Sequence, residues 1–156
     1  MAENLNYEAS GSKCYRNSTA YCDRYGKLYN WETAMKVCPI GWHLPSKDEW
    51  DILIAKVGGE KTAGKYLKAV SGWNCYDCYK RESGNTDTYG FSALPSGYGY
   101  SDGYFDNGGE FGYWWSTSEG SSNIAYYRGI YYGYEGIRWL SRGKGYLLSV
   151  RCLQDR

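Results

Sequence analysis

The sequence predicts an α+β domain that is held together by disulfide bonds. Helix-like apolar spacing is confined to the first half of the chain, and short β-prone runs fill the second half. The six cysteines, an even number, favour a disulfide set formed in an oxidising compartment. The length of 156 residues suits one domain, and neither a linker nor a fixed-period repeat divides it. We therefore expect a single domain over residues 1–156, with two to three short helices flanking small antiparallel sheets.

Local signals place two short helices before residue 58. Asn30 is a good N-cap, and apolar side chains follow it at i, i+3, i+4 and i+7 up to Cys38, where a proline ends the helix. Ser46 and Glu49 form a capping box, in which the serine hydroxyl accepts a backbone N–H and the glutamate reaches back. The second helix then runs to Val57, before two glycines end it.

A third helix and four strands are predicted further along the chain. Residues 62–70 have a weaker helical pattern. Beyond residue 88, Gly, Ser, Tyr, Asp and Asn dominate, with β-prone runs between them. The predicted strands are Gly112–Ser116, Ile124–Tyr132, Gly136–Leu140 and Tyr146–Cys152. The last of these is expected to be a buried terminal strand.

The cysteines are assigned to disulfides rather than to a metal. A zinc site usually needs two close cysteine pairs, or one pair with histidines, whereas this chain has one histidine. If the terminal strand packs beside the first helix, Cys38 and Cys152 join the two ends of the domain, a bridge that contributes about 4–5 kcal/mol in the chain-entropy model. Cys14–Cys22 and Cys75–Cys78 are then the remaining pairs, although the sequence alone permits other pairings.

Charge and hydropathy exclude several classes of partner. The net charge of +1 gives no overall field that would attract nucleic acid or a membrane. The chain has no run of about 18 apolar residues that would span a bilayer. Met1–Tyr7 lacks the basic and apolar regions of a signal peptide. A cytosolic chain is one interpretation, but the cysteines favour a piece of a longer secreted or cell-surface protein.

No catalytic or metal centre is predicted. His43 has no visible nucleophile or ligand partner, so we expect a loop histidine bonded to backbone rather than a general base. The Cys75–Cys78 pair lies in a polar loop, which favours a structural disulfide over a redox motif. The acidic loop offers calcium-type oxygens from Asp102, Asp106, Asn107 and Glu110, but solvated turn carboxylates are the preferred interpretation. The sequence therefore predicts no enzyme activity, no metal and no cofactor.

Aromatic residues provide the candidate binding surface. The chain has 19 Tyr, 7 Trp and 21 Gly but only 3 Phe, and an excess of Tyr, Gly and Ser is typical of paratopes. Rings packed within a tyrosine-rich sheet are the alternative. Because strand residues alternate, Tyr126, Arg128 and Tyr132 are expected on one side of a strand, with Tyr127 and Tyr131 on the other. The predicted ligand-binding residues are Tyr98, Tyr100, Tyr104, Tyr126, Arg128, Tyr131, Tyr132, Tyr134, Arg138 and Trp139.

Several long motifs occur in order along nearly the whole chain. They are Met1–Tyr7, Gly41–Ser46 (Gly-Trp-His-Leu-Pro-Ser), Glu49-Trp50, Tyr89–Pro95 (Tyr-Gly-Phe-Ser-Ala-Leu-Pro), Tyr113–Ser116 (Tyr-Trp-Trp-Ser) and Ser149–Cys152 (Ser-Val-Arg-Cys). Together they resemble the Fibrobacter succinogenes major paralogous domain family. The resemblance implies a C-type-lectin-like fold, in which two helices flank small sheets, the termini meet, and a helix-one cysteine bonds to a last-strand cysteine. It also implies that Met1 is internal to a longer chain, because a Trp usually precedes the matching segment.

The same fold includes sugar-binding lectins and lies near the formylglycine-generating enzymes. The calcium-ligand motifs of those lectins, Glu-Pro-Asn and Trp-Asn-Asp, are absent from this sequence. None of the enzymes' motifs matches the cysteines here, so the resemblance implies neither calcium-dependent sugar binding nor that enzyme activity.

The C-terminal third has a second resemblance, of composition and position. Ser121–Tyr146 is rich in Tyr, Ser, Gly, Asn and Arg, and is similar to the variable region of proteins that diversity-generating retroelements mutate. That bias arises because mutation of adenines in Asn-type codons yields a restricted set of residues. Trp139 cannot arise from such a codon, so this position would belong to the fixed scaffold.

Two functions follow as hypotheses. The first is a non-enzymatic ligand-binding display domain, diversified by a retroelement, whose C-terminal surface binds a protein or another cell-surface ligand. The second is a cell-surface adhesion module for plant polysaccharide, favoured by the aromatic excess and by the link of the family to a fibre-degrading bacterium. Both hypotheses place the domain outside the cell and give it no nucleic-acid partner and no transmembrane segment.

Overall fold

The computed structural model describes residues 1–74 and 84–156, and it has an α+β architecture. A 3₁₀ turn at Tyr15–Asn17 precedes the first helix. The helices are α1 (Thr19–Tyr25), α2 (Trp31–Ala34), α3 (Lys47–Lys56) and α4 (Ala63–Leu67). The strands are β1 (Ser12–Lys13), β2 (Leu28–Tyr29), β3 (Trp42–His43), β4 (Tyr98–Gly99), β5 (Phe105–Asp106), β6 (Phe111–Ser121), β7 (Ile124–Tyr131), β8 (Ile137–Gly143), β9 (Leu148–Ser149) and β10 (Leu153–Gln154).

Most strands belong to one six-stranded sheet, in the order β1-β2-β9-β6-β7-β8. Neighbouring strands are antiparallel except β6 and β9, which are parallel where Trp114 pairs with Ser149. Two small antiparallel pairs, β3–β10 and β4–β5, complete the fold. The prediction of small antiparallel sheets is therefore correct for these two pairs. The main sheet differs from this prediction in its six strands and in one parallel pairing, that of β6 with β9.

Helix α3 forms as the sequence predicts. The Ser46 hydroxyl accepts the Glu49 backbone N–H at 3.2 Å, and the Glu49 carboxylate accepts the Ser46 N–H at 2.8 Å. This capping box satisfies donors that a helix N-terminus otherwise leaves unpaired. The helix buries Trp50 and Ile54 and ends before Gly58, whose φ of 105° suits a glycine.

The other two predicted helices are shorter than expected. Asn30 caps α2 by accepting the Thr33 N–H at 2.9 Å, but the helix ends at Ala34 rather than at Cys38. Cys38 precedes Pro39, and the helical backbone conformation is disfavoured for a residue before proline. The disulfide bond to Cys152 also fixes the position of Cys38. Helix α4 ends early because the residues after Leu67 pair with Ala93 as an isolated bridge.

Helix α1 is absent from the sequence-based prediction. It begins after Ser18, whose side chain makes no capping hydrogen bond, and it buries only Cys22 and Tyr25. The prediction missed it because a seven-residue helix without a side-chain cap gives little local signal. Its packing and the Cys14–Cys22 disulfide hold it in place.

The strand predictions are correct in position and less so in length. Strand β6 continues past the predicted end at Ser116 to Ser121, and β8 continues past Leu140 to Gly143. The predicted terminal strand is buried throughout 147–152, as expected, but only Leu148–Ser149 pairs in the main sheet. The chain then turns so that β10 pairs with β3.

The central strands β6 and β7 are covered on both faces, and a separate core lies on each side. Trp115 lies in a core with Tyr29, Tyr127 and Leu148. Its neighbour Trp114 lies in the opposite core, with residues of α3 and α4. Both tryptophans are fully buried, at 0 % exposure. Adjacent strand residues point to opposite faces, so this pair divides the two cores.

The described residues contain two disulfide bonds. Cys14 bonds to Cys22, and Cys38 bonds to Cys152 across 114 positions of sequence, as predicted. The predicted Cys75–Cys78 pair lies outside the described residues. Within the described ranges, no helix is both long and apolar enough to cross a membrane.

Candidate binding surface

The strands β6, β7 and β8 sort their side chains onto two faces. Directly paired antiparallel residues share a face, and Gly129 pairs with both Tyr113 and Arg138. We call this side the tyrosine face and the opposite side the tryptophan face. The tyrosine face carries Phe111, Tyr113, Trp115, Ala125, Tyr127, Gly129, Tyr131, Arg138, Leu140 and Arg142. The tryptophan face carries Gly112, Trp114, Tyr126, Arg128, Ile130, Ile137 and Trp139.

The tyrosine face is a continuous aromatic surface with a buried floor. The buried ring of Tyr113 lies 5.4 Å from Tyr127 and 5.4 Å from Phe111, between ring centres. Phe111 in turn stacks on Tyr131 at 4.6 Å, and Tyr131 meets Tyr132 at 4.4 Å. Phe111 and the last two tyrosines are partly exposed, so the series of rings runs from the core to the solvent.

Three tyrosines from outside the three strands extend this cluster of rings. Tyr98 packs against Tyr113 at 5.7 Å, and its hydroxyl lies 2.7 Å from that of Tyr100. Tyr146 lies 5.3 Å from Tyr100. The Arg142 guanidinium lies over two of these rings, 4.7 Å from Tyr98 and 4.9 Å from Tyr146.

The tyrosine hydroxyls of the floor remain protonated at neutral pH. Burial raises the pKa of Tyr113 to about 12, against a smaller lowering by its hydrogen bond with Asn107. Burial also raises the pKa of Tyr98 and of Tyr127 above the ordinary value. These groups therefore serve as neutral hydrogen-bond donors and acceptors, and none is a candidate base.

A buried lysine anchors the turn after β7. The Lys68 ammonium donates to the Tyr134 carbonyl at 2.7 Å and to the Tyr132 carbonyl at 3.2 Å. Its side chain is 2 % exposed, and burial lowers the pKa of Lys68 to about 8. Sequence reasoning missed this residue, because a lysine in a weak helical pattern gives no sign that it is buried. Its role is to fix the turn that carries Tyr132 and Tyr134.

The tryptophan face holds a buried arginine between two carboxylates. Arg128 is 0 % exposed and pairs with Asp51 and, at 2.7 Å, with Glu60. Its guanidinium lies 4.0 Å from the centre of the Trp139 ring, and the Trp139 indole N–H donates to Asp51 at 2.8 Å. The Arg128 Nε has no partner among residues 1–74 and 84–156. The cluster ties α3 to β7 and β8.

The family of the chain follows from a match to a protein-family model. The model of the Fibrobacter succinogenes major domain matches residues 1–154. The chain belongs to this family. No curated protein and no solved structure shows significant similarity to the chain.

In this Fibrobacter succinogenes major domain, three of the motifs that carry the resemblance are parts of the scaffold. Tyr113–Ser116 is buried in β6, and Ser149–Cys152 is buried at the end of the chain. Glu49 completes the cap of α3. The exposed tyrosines of the turn after β7 lie outside the quoted motifs.

The ten predicted binding residues do not form one surface in this family member. Tyr126, Arg128 and Trp139 lie on the tryptophan face, and the ring of Tyr126 is 6.3 Å from that of Trp139. Tyr104 is 75 % exposed in the β4–β5 turn and has no ring contact within the described residues. Tyr98 is buried, as is Arg128. The predicted residues on or beside the tyrosine face are Tyr98, Tyr100, Tyr131, Tyr132, Tyr134 and Arg138. Ligand contact by any of the ten stays a prediction.

The strand-alternation prediction is correct within β7 and does not extend past it. Tyr126 and Arg128 share one face, and Tyr127 and Tyr131 share the other. Tyr132, expected on the side of Tyr126, lies beyond the end of β7 and packs on Tyr131.

His43 differs from its expected environment. It lies in β3 rather than in a loop, and its ring nitrogens contact carboxylates rather than backbone: Nδ1 lies 2.6 Å from Asp155 and Nε2 lies 2.9 Å from Glu49. These hydrogen bonds, Asp155 first, raise the pKa of His43. With both ring nitrogens engaged, the imidazole has no free lone pair with which to accept a proton from a substrate.

The acidic loop is occupied by turn hydrogen bonds. Asp102 accepts the Tyr104 N–H at 3.2 Å, and Asp106 accepts the Asn107 N–H at 2.8 Å. Within 1–74 and 84–156, no three His, Cys, Asp or Glu side chains are grouped closely enough to hold a metal ion.

Proposed function

We propose that the protein is a non-enzymatic ligand-binding domain and that the tyrosine face is its binding surface. The observation that carries this proposal is the series of partly exposed rings on a buried aromatic floor. Tyrosine provides a large contact area at a small cost in conformational entropy, with a polar tip for hydrogen bonds. Tyr and Arg are also the residue types that dominate binding hot spots.

The rigidity of this surface favours recognition. Phe111 and Tyr131 stand on paired strands, and the following turn is anchored through its carbonyls by Lys68. A surface that is already ordered loses less side-chain entropy when a ligand binds. Arg138 lies 4.7 Å from the Tyr134 ring centre, so stacking limits the motion of a residue that would otherwise be flexible.

The binding proposal is tested with substitutions that leave the floor intact. The probes are purified extracellular proteins and insoluble polysaccharides, each measured for retention of the wild-type domain. Tyr131→Ser combined with Tyr132→Ser is expected to lower retention of the true ligand at least tenfold. Tyr7→Ser is the matched control, because Tyr7 is 64 % exposed and lies elsewhere. Retention lost equally in both variants, or in neither, contradicts the proposal.

We further propose that the scaffold is C-type-lectin-like and that a retroelement diversifies its exposed positions. The support is the order of short helices and sheets, the Cys38–Cys152 bridge, and the composition of Ser121–Tyr146. Sequencing this gene in many cells of one population tests the second part. We expect substitutions at adenine-derived codons for residues such as the partly exposed Tyr132 and the exposed Tyr134. An invariant segment would leave a binding domain that is not diversified.

Polysaccharide adhesion is the second candidate, and the tryptophan face favours it. Trp139 and Tyr126 form an aromatic pair beside the Asp51 carboxylate and the Lys47 ammonium. Flat rings next to polar groups suit stacking and hydrogen bonding to sugar rings. Co-sedimentation with cellulose or xylan that persists in chelator and is lost in Tyr126→Ala supports this function. If Tyr126→Ala sediments as well as the wild type, adhesion through this face is wrong.

Secretion or display at the cell surface is part of the proposal. Disulfides persist in oxidising compartments and are rare in the cytosol, and the described cysteines form two of them. The absence of enzyme activity is tested separately. Any turnover that is abolished by His43→Gln would overturn that part of the proposal.

A further inference from the structure

The edge of the main sheet has backbone groups that face outward. Strand β8 is the last strand in the sheet order. The N–H of its first residue, Ile137, donates at 2.9 Å to the Glu60 carbonyl, away from β7. Because backbone groups alternate along a strand, those of Trp139 and Ser141 also face away from β7. No group in residues 1–74 or 84–156 hydrogen-bonds to the backbone of either residue on that side.

Two arginines stand beside this edge on the tyrosine face. Arg138 and Arg142 flank Leu140, which is 39 % exposed. On β7, Arg138 is paired with Gly129 and Arg142 with Ala125, so neither arginine faces a charged residue on the neighbouring strand. Among the described residues, no carboxylate lies within ion-pair distance of either guanidinium. The polar contact of Arg142 is neutral: its Nε donates to the Tyr127 hydroxyl at 3.4 Å, and its guanidinium lies over Tyr98 and Tyr146. The contrast is with Arg128, which is paired with Asp51 and Glu60 (both on the helical side of the sheet).

We propose that an extended acidic peptide segment binds here as a seventh strand of the sheet, alongside β8. This deepens the proposed binding function and rests on it. The segment places one carboxylate opposite Arg138, an apolar side chain opposite Leu140, and a second carboxylate opposite Arg142. The two acidic residues are therefore four positions apart, or about 13 Å in an extended chain.

Strand geometry makes this pattern specific. The peptide residues opposite Trp139 and Ser141 exchange backbone hydrogen bonds with them. The residues opposite the two arginines form the non-hydrogen-bonded pairs, in which side chains approach each other more closely. Opposite charges facing each other across strands are favourable, and like charges are unfavourable. The site thus selects an alternating acidic and apolar sequence and rejects a basic one.

Protection of the edge is the competing explanation for the same arginines. Charged residues on an exposed edge strand discourage pairing with other chains. That explanation predicts that peptides of either charge fail to add to β8. The two explanations therefore differ in one measurable result, the binding of a peptide with the complementary pattern.

The test uses a short synthetic peptide with glutamate, valine and glutamate at alternate positions and threonines between them. Binding to the whole domain is measured by fluorescence polarisation. We expect saturable binding that weakens at least tenfold in Arg138→Glu and in Arg142→Gln. A peptide with lysine in place of glutamate is expected to bind Arg138→Glu better than the wild type. Arg24→Glu is the matched control, because Arg24 also stacks on a tyrosine ring, at 5.1 Å from Tyr25.

Backbone pairing is tested with two N-methylated peptides. Methylation of the threonines between the glutamates and the valine blocks the N–H groups that face β8, and it is expected to abolish binding. Methylation at the glutamates and the valine blocks outward N–H groups, and it is expected to weaken binding much less. Equal binding of both methylated peptides would overturn strand addition, as would binding of the unmodified peptide no tighter than a scrambled one.

The outcome also separates this inference from the function on which it rests. If a ligand found in the retention assay is lost in Tyr131→Ser but binds normally to Arg138→Glu and Arg142→Gln, the tyrosine face binds and the acidic strand is wrong. If no ligand depends on Tyr131 but the peptide binds with the expected dependence on both arginines, the edge site stands without the wider surface.

Discussion

The two faces of the β7–β8 hairpin use arginine in opposite ways. On the tryptophan face, Arg128 is fully buried, carries two carboxylate partners and lies against an indole ring. On the tyrosine face, Arg138 and Arg142 stack on tyrosines and have no carboxylate partner within the described residues. A buried charge must be compensated inside the protein, whereas a guanidinium that lacks a carboxylate partner is available to the carboxylate of a ligand. Arg128 is therefore a structural arginine, whereas Arg138 and Arg142 are suited to the recognition of a ligand.

The largest effect is expected on the tryptophan face, when both partners of Arg128 are removed. Asp51→Ala with Glu60→Ala leaves a buried guanidinium without compensation, which typically costs about 3–5 kcal/mol. We expect the lower part of this range, because both carboxylates reach solvent. Urea denaturation measures the loss, with Asp48→Ala as a control on the same helix. A loss as small as that of the control would show that water compensates Arg128.

Two glycines on opposite faces provide the next comparison. A Cβ on Gly112 would lie 2.6 Å from the Leu94 carbonyl oxygen, a backbone atom that cannot easily move. A Cβ on Gly129 would meet the ends of two side chains instead, Leu140 at 2.9 Å and Tyr113 at 3.2 Å. We expect Gly112→Ala to cost about 2 kcal/mol, as overpacking does, and Gly129→Ala to cost less. Thermal unfolding of both variants checks the order, and the reverse order would contradict it.

Lys68, which anchors the turn beside the tyrosine face, makes a contribution to stability that depends on pH. Its folded pKa of about 8 lies below that of lysine in the unfolded chain. Between these two values the unfolded state binds more protons, so the contribution of Lys68 to stability becomes more favourable as pH rises from about 8 to 10. The change is on the order of 1–2 kcal/mol.

The matched measurement for Lys68 is urea denaturation of the wild type and Lys68→Met at pH 7 and pH 9.5. The difference between their free energies of unfolding is expected to shift in favour of the wild type at pH 9.5. A difference that does not change with pH would mean that Lys68 keeps an ordinary pKa.

The smallest effect is expected at His43, away from both faces. Its hydrogen bonds to Asp155 and Glu49 raise its folded pKa above the unfolded value. Its stabilising contribution is therefore fully present below about pH 6.5 and is lost as pH rises through the folded pKa. Because the side chain is 39 % exposed, we expect less than about 1 kcal/mol. His43→Gln should remove this pH dependence, and a variant that retains it would place the dependence elsewhere.

Local signals predicted the parts of the fold that are locally determined. The capping box of Ser46 and Glu49 specifies the start of α3 without any distant contact. Alternation along 124–131 correctly placed Tyr126 and Arg128 on one side and Tyr127 on the other. The predicted end of α2, at Cys38, is wrong because it depends on a disulfide partner more than 100 positions away.

The candidate surface was less predictable, because burial depends on what packs over each strand. The sequence shows Arg128 and Arg138 as similar residues near the same tyrosines, and only the position of α3 distinguishes them. Lys68 gave no signal at all, since its role depends on carbonyls in a turn some 64 positions further along the chain. Composition indicated a tyrosine-rich surface but not which residues share it.

The opposed tryptophans of β6 restrict how this domain can change in length. Trp114 and Trp115 belong to different cores, and a shift of one residue in a strand moves every side chain to the other face. A single-residue insertion or deletion within β6 or β7 would therefore exchange the contents of both cores at once. New ligand preferences in such a domain must arise by substitution at constant strand length, with length variation confined to turns such as 132–136. This differs from antibody loops, whose variation in length is tolerated because no core depends on their register.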